Sequence, residues 1–312
     1  MKRARWRLPL AVALVVVMLL FAACGTSGNQ QESGSGERVV KVAYLPITHA
    51  LPVLELSQES GVKIELVKYG SWPELLDALN TGKVDGASVL IELAMQAQEK
   101  GIGLKAAALG HTDGNVIVTR NDIATAADLQ GKTFAIPHRS SSHHILLQEM
   151  LERAGLTIND IKVTELSPAE MPAALGSGQI QGFCVAEPFG SVAVTSGYAK
   201  VLYRSEELWE DSICCALVFN ETFLNEQRAL ADAVIDAYEA AGKKLEDKSR
   251  ALAVAGKFLR QSEQVLTQSL QWIDYTELKI TRDAYDDLRE RMIKYHISQN
   301  PPEYEAFVYT KE

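Results

Sequence analysis

Residues 74–89 read ELLDALNTGKVDGASV and residues 170–185 read EMPAALGSGQIQGFCV. At a constant offset of 96 residues they agree in Glu, Ala, Leu, two Gly and Val, with Leu75/Met171 and Val84/Ile180 as near matches. Each copy reads as a helix, a glycine stop and a short buried strand. Apolar positions alone would recur by chance in such units; the paired glycines at 82/178 and 86/182 make a true repeat the better explanation. Outward from the first copy lie an apolar strand in VVKVAYLPI, a helix in ALPVLELSQESG capped by Thr48, and a strand in KIELVKYG. Ser71 or Trp72 caps the repeat helix itself, with Pro73 in its first turn. Before the second copy come the strand-like NVIVTR, the strand TFAIP and a helix that starts within Ser140-Ser141-Ser142. Strands alternating with helices predict an α/β fold with parallel pairings. The expected plan is a first lobe over 38–118, a second over 119–208, and a return to the first lobe over 209–312 that continues as amphipathic helices packed on it.

The whole chain has 312 residues, 47% of them hydrophobic and 23% charged, with a net charge of −9. That profile suits a globular protein of about two domains. It argues against a nucleic-acid binder that spreads basic residues over phosphates. Lys2, Arg3, Arg5 and Arg7 precede the apolar run LPLAVALVVVMLLFAA, so residues 1–23 are expected to be a secretory signal peptide. Leu20 to Cys24 resembles the bacterial lipobox, with Phe21 where Leu is usual. Cys24 is then the expected lipidation (palmitate) site, and the Gly/Ser-rich residues 24–37 a tether. Without residues 1–23 the chain keeps 27 Lys and Arg against 40 Asp and Glu, a charge of −13. Long-range steering therefore does not favour anions, and an anion site would depend on local donors. The expected location is outside the cell membrane, anchored to its outer face.

Two lobes in an exported protein suggest a ligand held in the cleft between them, with hinge closure rather than catalysis as the functional motion. The serine run before His143 and His144 offers hydroxyls and free N–H groups at a helix start. Simple capping explains any one of those serines equally well. Adjacent helical residues point about 100° apart, so His143 is expected in the cleft and His144 at the surface or in a cap. A metal site involving His111, His138 and the His143-His144 pair lacks an i, i+4 histidine pattern and a placed cysteine partner, so none is assigned. Cys184, Cys214 and Cys215 lie in apolar strand-like stretches and read as buried small hydrophobes; a disulfide from Cys184 to one of the vicinal pair stays open. No nucleophile–base constellation is present in the sequence, and no cofactor or catalytic residue is assigned.

The segments YLPITHALPVL, GSWPELLDALNTGKVDGASVL, DGNVIVTR, PHRSSSHHILLQEMLERAGL and PAEMPAALGSGQIQGFCVAEPF, in that order, resemble the substrate-binding proteins of ABC importers in the nitrate/sulfonate/taurine/bicarbonate group, above all the nitrate and bicarbonate binders. The resemblance covers roughly residues 38–210. It implies a type II periplasmic-binding-protein fold with two crossing strands and an interlobe cleft, an ABC permease and its ATPase as partners, and a monomer. It places Trp72 as a pocket wall, Asn115 as a polar amide and His143 as the histidine that nitrate binders turn on their anion. Thr48, His49, Ser71, Ser142 and Glu187 complete the expected ligand-binding set. His49 stands where an acidic residue is often found, His144 where an Asn is, and Glu187-Pro188-Phe189 where the family has EPW. No Lys follows Leu208-Trp209, so nitrate itself does not carry over. The implied function is capture of a small polar, anionic solute (nitrate-, bicarbonate- or sulfonate-like) for import. The alternatives are a pyrimidine- or riboflavin-like heterocycle, a sensor domain, or an enzyme on the same scaffold akin to a pyrimidine-precursor synthase.

Overall fold

A computed structural model describes residues 38–59 and 61–311; the signal segment, Cys24 and the tether lie outside them. The first sheet contains β1 (Val39–Tyr44), β2 (Lys63–Lys68), β3 (Gly86–Leu90) and β4 (Leu104–Leu109). A two-residue β5 (Thr112–Asp113) follows, and the second sheet then takes β6 (Asn115–Arg120), β7 (Thr133–Ile136), β8 (Lys162–Glu165), β9 (Gly182–Ala186) and β10 (Ala199–Arg204). The chain returns to the first sheet with β11 (Cys215–Asn220), and β12 (Ile273–Asp274) pairs with β5. The strand orders are β2-β1-β3-β11-β4 and β10-β6-β9-β7-β8. The expected α/β class holds, on two five-stranded sheets. Strand β6 belongs whole to the second sheet, so the passage between sheets precedes Asn115 instead of falling at 118/119.

The repeat is a structural one. Helix α2 (Trp72–Asn80) leads into β3 as helix α5 (Met171–Gly176) leads into β9, and each strand lies at the centre of its sheet. Gly86 pairs with Val42 of β1, and Gly182 with Phe134 of β7, both in parallel register. The aligned glycines have separate causes. Gly82 and Gly178 turn the chain at φ +70° and +80°, where a side chain is strained. At Gly86 an added Cβ would lie 2.5 Å from the Phe219 ring, and at Gly182 one would lie 2.8 Å from Phe134. One pair lets the chain reverse, and the other lets an aromatic ring cross the central strand.

Helices α1 (Leu51–Glu59), α3 (Ile91–Glu99), α4 (Ser142–Arg153) and α6 (Phe189–Thr195) follow β1, β3, β7 and β9 respectively. The short α7 (Ser205–Leu208) and α8 (Glu221–Glu226) flank β11. Next come α9 (Arg228–Lys244), α10 (Lys248–Leu259), α11 (Glu263–Ser269), α12 (Arg282–Lys294) and α13 (Tyr304–Phe307). These last helices do not pack on the first lobe alone, as the sequence reading had it. Helices α9 and α10 lie on α1 and α13 lies on β4, but α11 packs on α6 of the second lobe. The stretch around α12 touches both lobes: Gln96 Nε2 donates to the Ile297 carbonyl, while Lys294 pairs with Glu152 at 2.8 Å and Arg291 with Glu149. The stretch before α12 is buried as well, at Leu270, Ile273, Tyr275 and Leu278.

Candidate functional site

Parallel strands put their carboxyl ends on one edge of each sheet, and loops leaving that edge commonly carry binding groups. Here the edge is rich in buried polar side chains. His49 lies in the 3-10 turn Thr48–Ala50 after β1, Glu92 at the second residue of α3 after β3, and His111 just after β4. Ser142 and His143 open α4 in the second lobe. The antiparallel strands begin at the same edge, so Asn115 heads β6 opposite Ala186 and Cys215 heads β11 opposite Leu90. All of these are fully buried, as is Cys214.

One ligand atom each from His49, His111, Cys214 and Cys215 lies within 4.8 Å of the others. The two sulfurs are 3.9 Å apart, and Cys215 Sγ is 3.5 Å from His49 Nδ1. His49 Nε2 lies 3.3 Å from the Gly114 carbonyl, which can only accept. That contact puts the ring proton on Nε2 and leaves the Nδ1 lone pair facing the sulfur. The imidazoles of His49 and His111 sit with centroids 3.5 Å apart. Gly110 makes this approach sterically possible, since a Cβ there would stand 2.8 Å from the His49 carbonyl oxygen. Cys214 reaches across to Asn115 Oδ1 at 4.0 Å. Cys184, Cys214 and Cys215 are all free, so the disulfide left open by the sequence does not form.

Electrostatics separates these groups. Burial, then neighbouring His111, lowers the His49 pKa to about 4, so this ring is neutral at pH 7. Burial also lowers His143. Burial and then Cys214 raise the Glu92 carboxyl well above its usual range. Cys214 is pulled low in spite of burial by Cys215 and the surrounding imidazoles, whereas burial and Cys214 push Cys215 up. The partner inventory is more telling. Both ring nitrogens of His111 and of His143, both oxygens of Glu92, Ser142 Oγ, Asn115 Nδ2 and Trp72 Nε1 are buried without a hydrogen-bond partner. Buried polar groups are nearly always paired, and leaving one unpaired costs about 1–3 kcal/mol. These unmet donors and acceptors are the groups available to a guest at this edge.

The expected site residues divide accordingly. His49, Asn115 and His143 lie in this cluster, with Ser142 preceding His143 on α4. Trp72 is buried at the start of α2 with its indole N–H unpartnered. Ser71 sits at the N-cap of α2 but makes no side-chain cap bond. Thr48 does not cap α1; its N–H and hydroxyl both donate to the Glu187 carbonyl, at 2.8 and 2.9 Å, and tie the lobes together. The Glu187 carboxylate accepts from Ser191 N at 2.9 Å, Ser191 Oγ at 3.0 Å and Ser269 Oγ at 3.4 Å. Its acceptors are already engaged within the protein. Sequence reading missed Glu92, Cys214 and Cys215, and weighed His111 only for a metal site with His138 and the His143-His144 pair, which it did not assign. The vicinal cysteine pair Cys214-Cys215 was the available clue.

A protein-family model described as the NMT1-like family matches residues 33–258. Over 150 residues the chain is 33% identical to a putative aliphatic sulfonates-binding protein of Escherichia coli, a match covering 47% of each chain. The chain thus spans about half the length of that curated relative. A crystal structure of the ligand-binding component of an ABC-type import system from Staphylococcus aureus, with zinc bound, is 37% identical with a TM-score of 0.83, covering 87% of this chain and 96% of that one. The nitrate-binding protein NrtA of Synechocystis is 16% identical with a TM-score of 0.75, covering 83% and 82%, and shows the shared fold. With a family match across most of its length and a full-length structural counterpart above 30% identity, the chain belongs to the NMT1-like family.

Proposed function

We propose that this protein is the extracytoplasmic solute-binding component of an ABC importer, which encloses a small polar solute in the chamber at the carboxyl edges of its two sheets and presents it to a permease driven by an ATPase. The observation that carries the reading is the cluster of buried, unpartnered polar atoms contributed by both lobes, on a scaffold 37% identical to an import-system ligand-binding component. Closure over the solute supplies the mechanism: a ligand that contacts both lobes favours the closed form by its extra affinity for it. Among the candidate contacts, Trp72 Nε1, Asn115 Nδ2 and Ser142 Oγ are donors for an oxygen-rich solute such as a sulfonate. The neutral His143 can donate from one ring nitrogen and accept at the other. Lipidation of Cys24 would hold the protein at the outer face of the membrane as a tethered monomer.

A thermal-shift screen of the full chain tests the reading. Its panel is nitrate, bicarbonate, taurine, alkanesulfonates, pyrimidines, riboflavin, and zinc, which is bound in the S. aureus counterpart. A ligand at 100 times its Kd stabilises the folded state by about 2.7 kcal/mol. Trp72→Ala and His143→Ala should each weaken the ligand found; unchanged affinity in both refutes this placement of the site. Palmitate-analogue labelling that survives Cys24→Ala would refute the anchor.

A further inference from the structure

The first-lobe half of the chamber has a donor set different in kind from the amide and hydroxyl groups opposite it. We propose that His49, His111, Cys214 and Cys215 form a four-coordinate site for a thiophilic transition-metal ion, with Zn²⁺ as the expected occupant. This proposal deepens the importer reading. Only its last step, that the ion is the cargo, rests on that reading.

The geometry points to a metal rather than to a chance cluster. Tetrahedral zinc with Zn–S near 2.3 Å and Zn–N near 2.0–2.1 Å requires S···S of about 3.8 Å and S···N of about 3.6 Å between its ligands. The spacings here are 3.9 Å between the two sulfurs and 3.5 Å from Cys215 Sγ to His49 Nδ1. All four ligand atoms are mutually within 4.8 Å, and all four residues are buried. His49 is held as a ligating imidazole usually is, with one ring nitrogen on a backbone carbonyl and the other turned to the cluster. His111 has no partner at either nitrogen, which without an ion leaves an imidazole buried and unsatisfied. Two thiolates and two neutral imidazoles around a dication carry no net charge, so the occupied set can be buried without an unpaired charge. Thiolate and imidazole ligands select zinc or Cu(I) over the oxygen-seeking Mg²⁺ and Ca²⁺. The same residues are poorly suited to a bare anion, because none offers a fixed positive charge.

The position of the cluster gives the site a role. His111 lies on the passage from β4 to β6, and Cys214 on the return from β10 to β11. These are the two connections between the sheets. An ion here joins both connections to the His49 turn of the first lobe, so its binding and the hinge are coupled.

The test uses the reduced full chain, stripped with a chelator and titrated anaerobically with Zn²⁺ against a chromophoric competitor, and in parallel with Co²⁺. The expected result is one equivalent of metal and, with Co²⁺, a thiolate-to-metal charge-transfer band plus the strong visible bands of tetrahedral cobalt. Cys215→Ser and His111→Ala should each weaken Zn²⁺ binding by roughly 100-fold or more, since loss even of an outer partner costs about 10- to 100-fold. Lys83→Ala, at an exposed surface position, should leave it unchanged. Absence of the thiolate band, or variants that bind like the parent, overturns the proposal. If either variant does not fold, alkylation of the parent decides: zinc should protect Cys214 and Cys215 from a maleimide while Cys184 reactivity stays constant, and lack of protection overturns the site. ATPase stimulation in the reconstituted transporter separates the two readings. Metal bound without stimulation removes the cargo step and leaves the site, whereas stimulation by a metal-free organic solute keeps the importer and removes the metal as its cargo.

Discussion

Glu92 and Glu187 occupy nearly the same place in the two halves of the repeat, just beyond the central strands β3 and β9, and both are fully buried. Their surroundings are opposite. Glu187 has its carboxylate engaged by Ser191 and Ser269, and its own carbonyl holds Thr48 across the lobes. Glu92 has no hydrogen bond of good geometry on either oxygen, with Cys214 and the Ser142 donors beside it. A buried acid is therefore a poor marker of a site until its hydrogen bonds are counted. The second-lobe copy is a structural brace, and the first-lobe copy belongs to the chamber.

This contrast can be broken most directly at the brace. Glu187→Ala would leave the Ser191 N–H and hydroxyl unsatisfied beside a void and should cost about 4 kcal/mol, read from urea unfolding. Equal stability would show the brace to be incidental. The next test is pH. Burial raises the Glu187 pKa to about 7, so the folded state binds this proton more tightly than the unfolded one. Its contribution is fully present at low pH and is lost as pH rises from the unfolded value near 4.5 through about 7, on the order of 3 kcal/mol in all. Glu187→Gln should remove that slope. The parent-minus-variant difference in stability should fall across this window, and a flat difference contradicts the assignment. The lowered pKa of His49 acts in the opposite sense at lower pH, which is why the difference, not the parent curve, is the measurement.

The glycine pair of the repeat gives a smaller effect that should be matched between lobes. Gly86→Ala and Gly182→Ala each force a Cβ against an aromatic ring, and each should cost about 2 kcal/mol. A large cost in one lobe alone would mean that only one copy retains the constraint. The smallest expected change has the reverse sign: Glu92→Leu removes two unsatisfied oxygens and should stabilise the empty protein by about 1 kcal/mol. Destabilisation comparable with that of Glu187→Ala would put the two glutamates in one class.

Much of the fold was legible because the repeat leaves its signature in backbone requirements. A turn at positive φ and an aromatic ring crossing a strand both demand glycine wherever they occur, and so they survive divergence of the apolar residues around them. On the second-lobe side Ser142 and His143 stand together beyond a strand, a pattern that local reading can single out as a candidate. The first-lobe side has no such pattern. Glu92 sits inside the apolar run VLIELAM, and Cys214-Cys215 inside SICCALVF, where local pattern says only core. Their meeting with His49 and His111 depends on pairings between β11, β3 and β4, across sequence separations that no local periodicity encodes. The C-terminal helices were misplaced for a related reason. Amphipathicity reports that a helix has a buried face, but not which lobe covers it.

The segment around α12 links the lobes by a different kind of bond. Arg291 and Lys294 meet Glu149 and Glu152 of α4, while Gln96 and Ser298 hold the following residues to α3 of the first lobe. Lys294 and Glu152 are each about half exposed, so their attraction is screened by dissolved ions. Opening of this link between the lobes should therefore quicken as salt is added, whereas the buried Thr48–Glu187 contact is not screened in the same way. This clasp makes ionic strength an input to how long the two lobes stay held together.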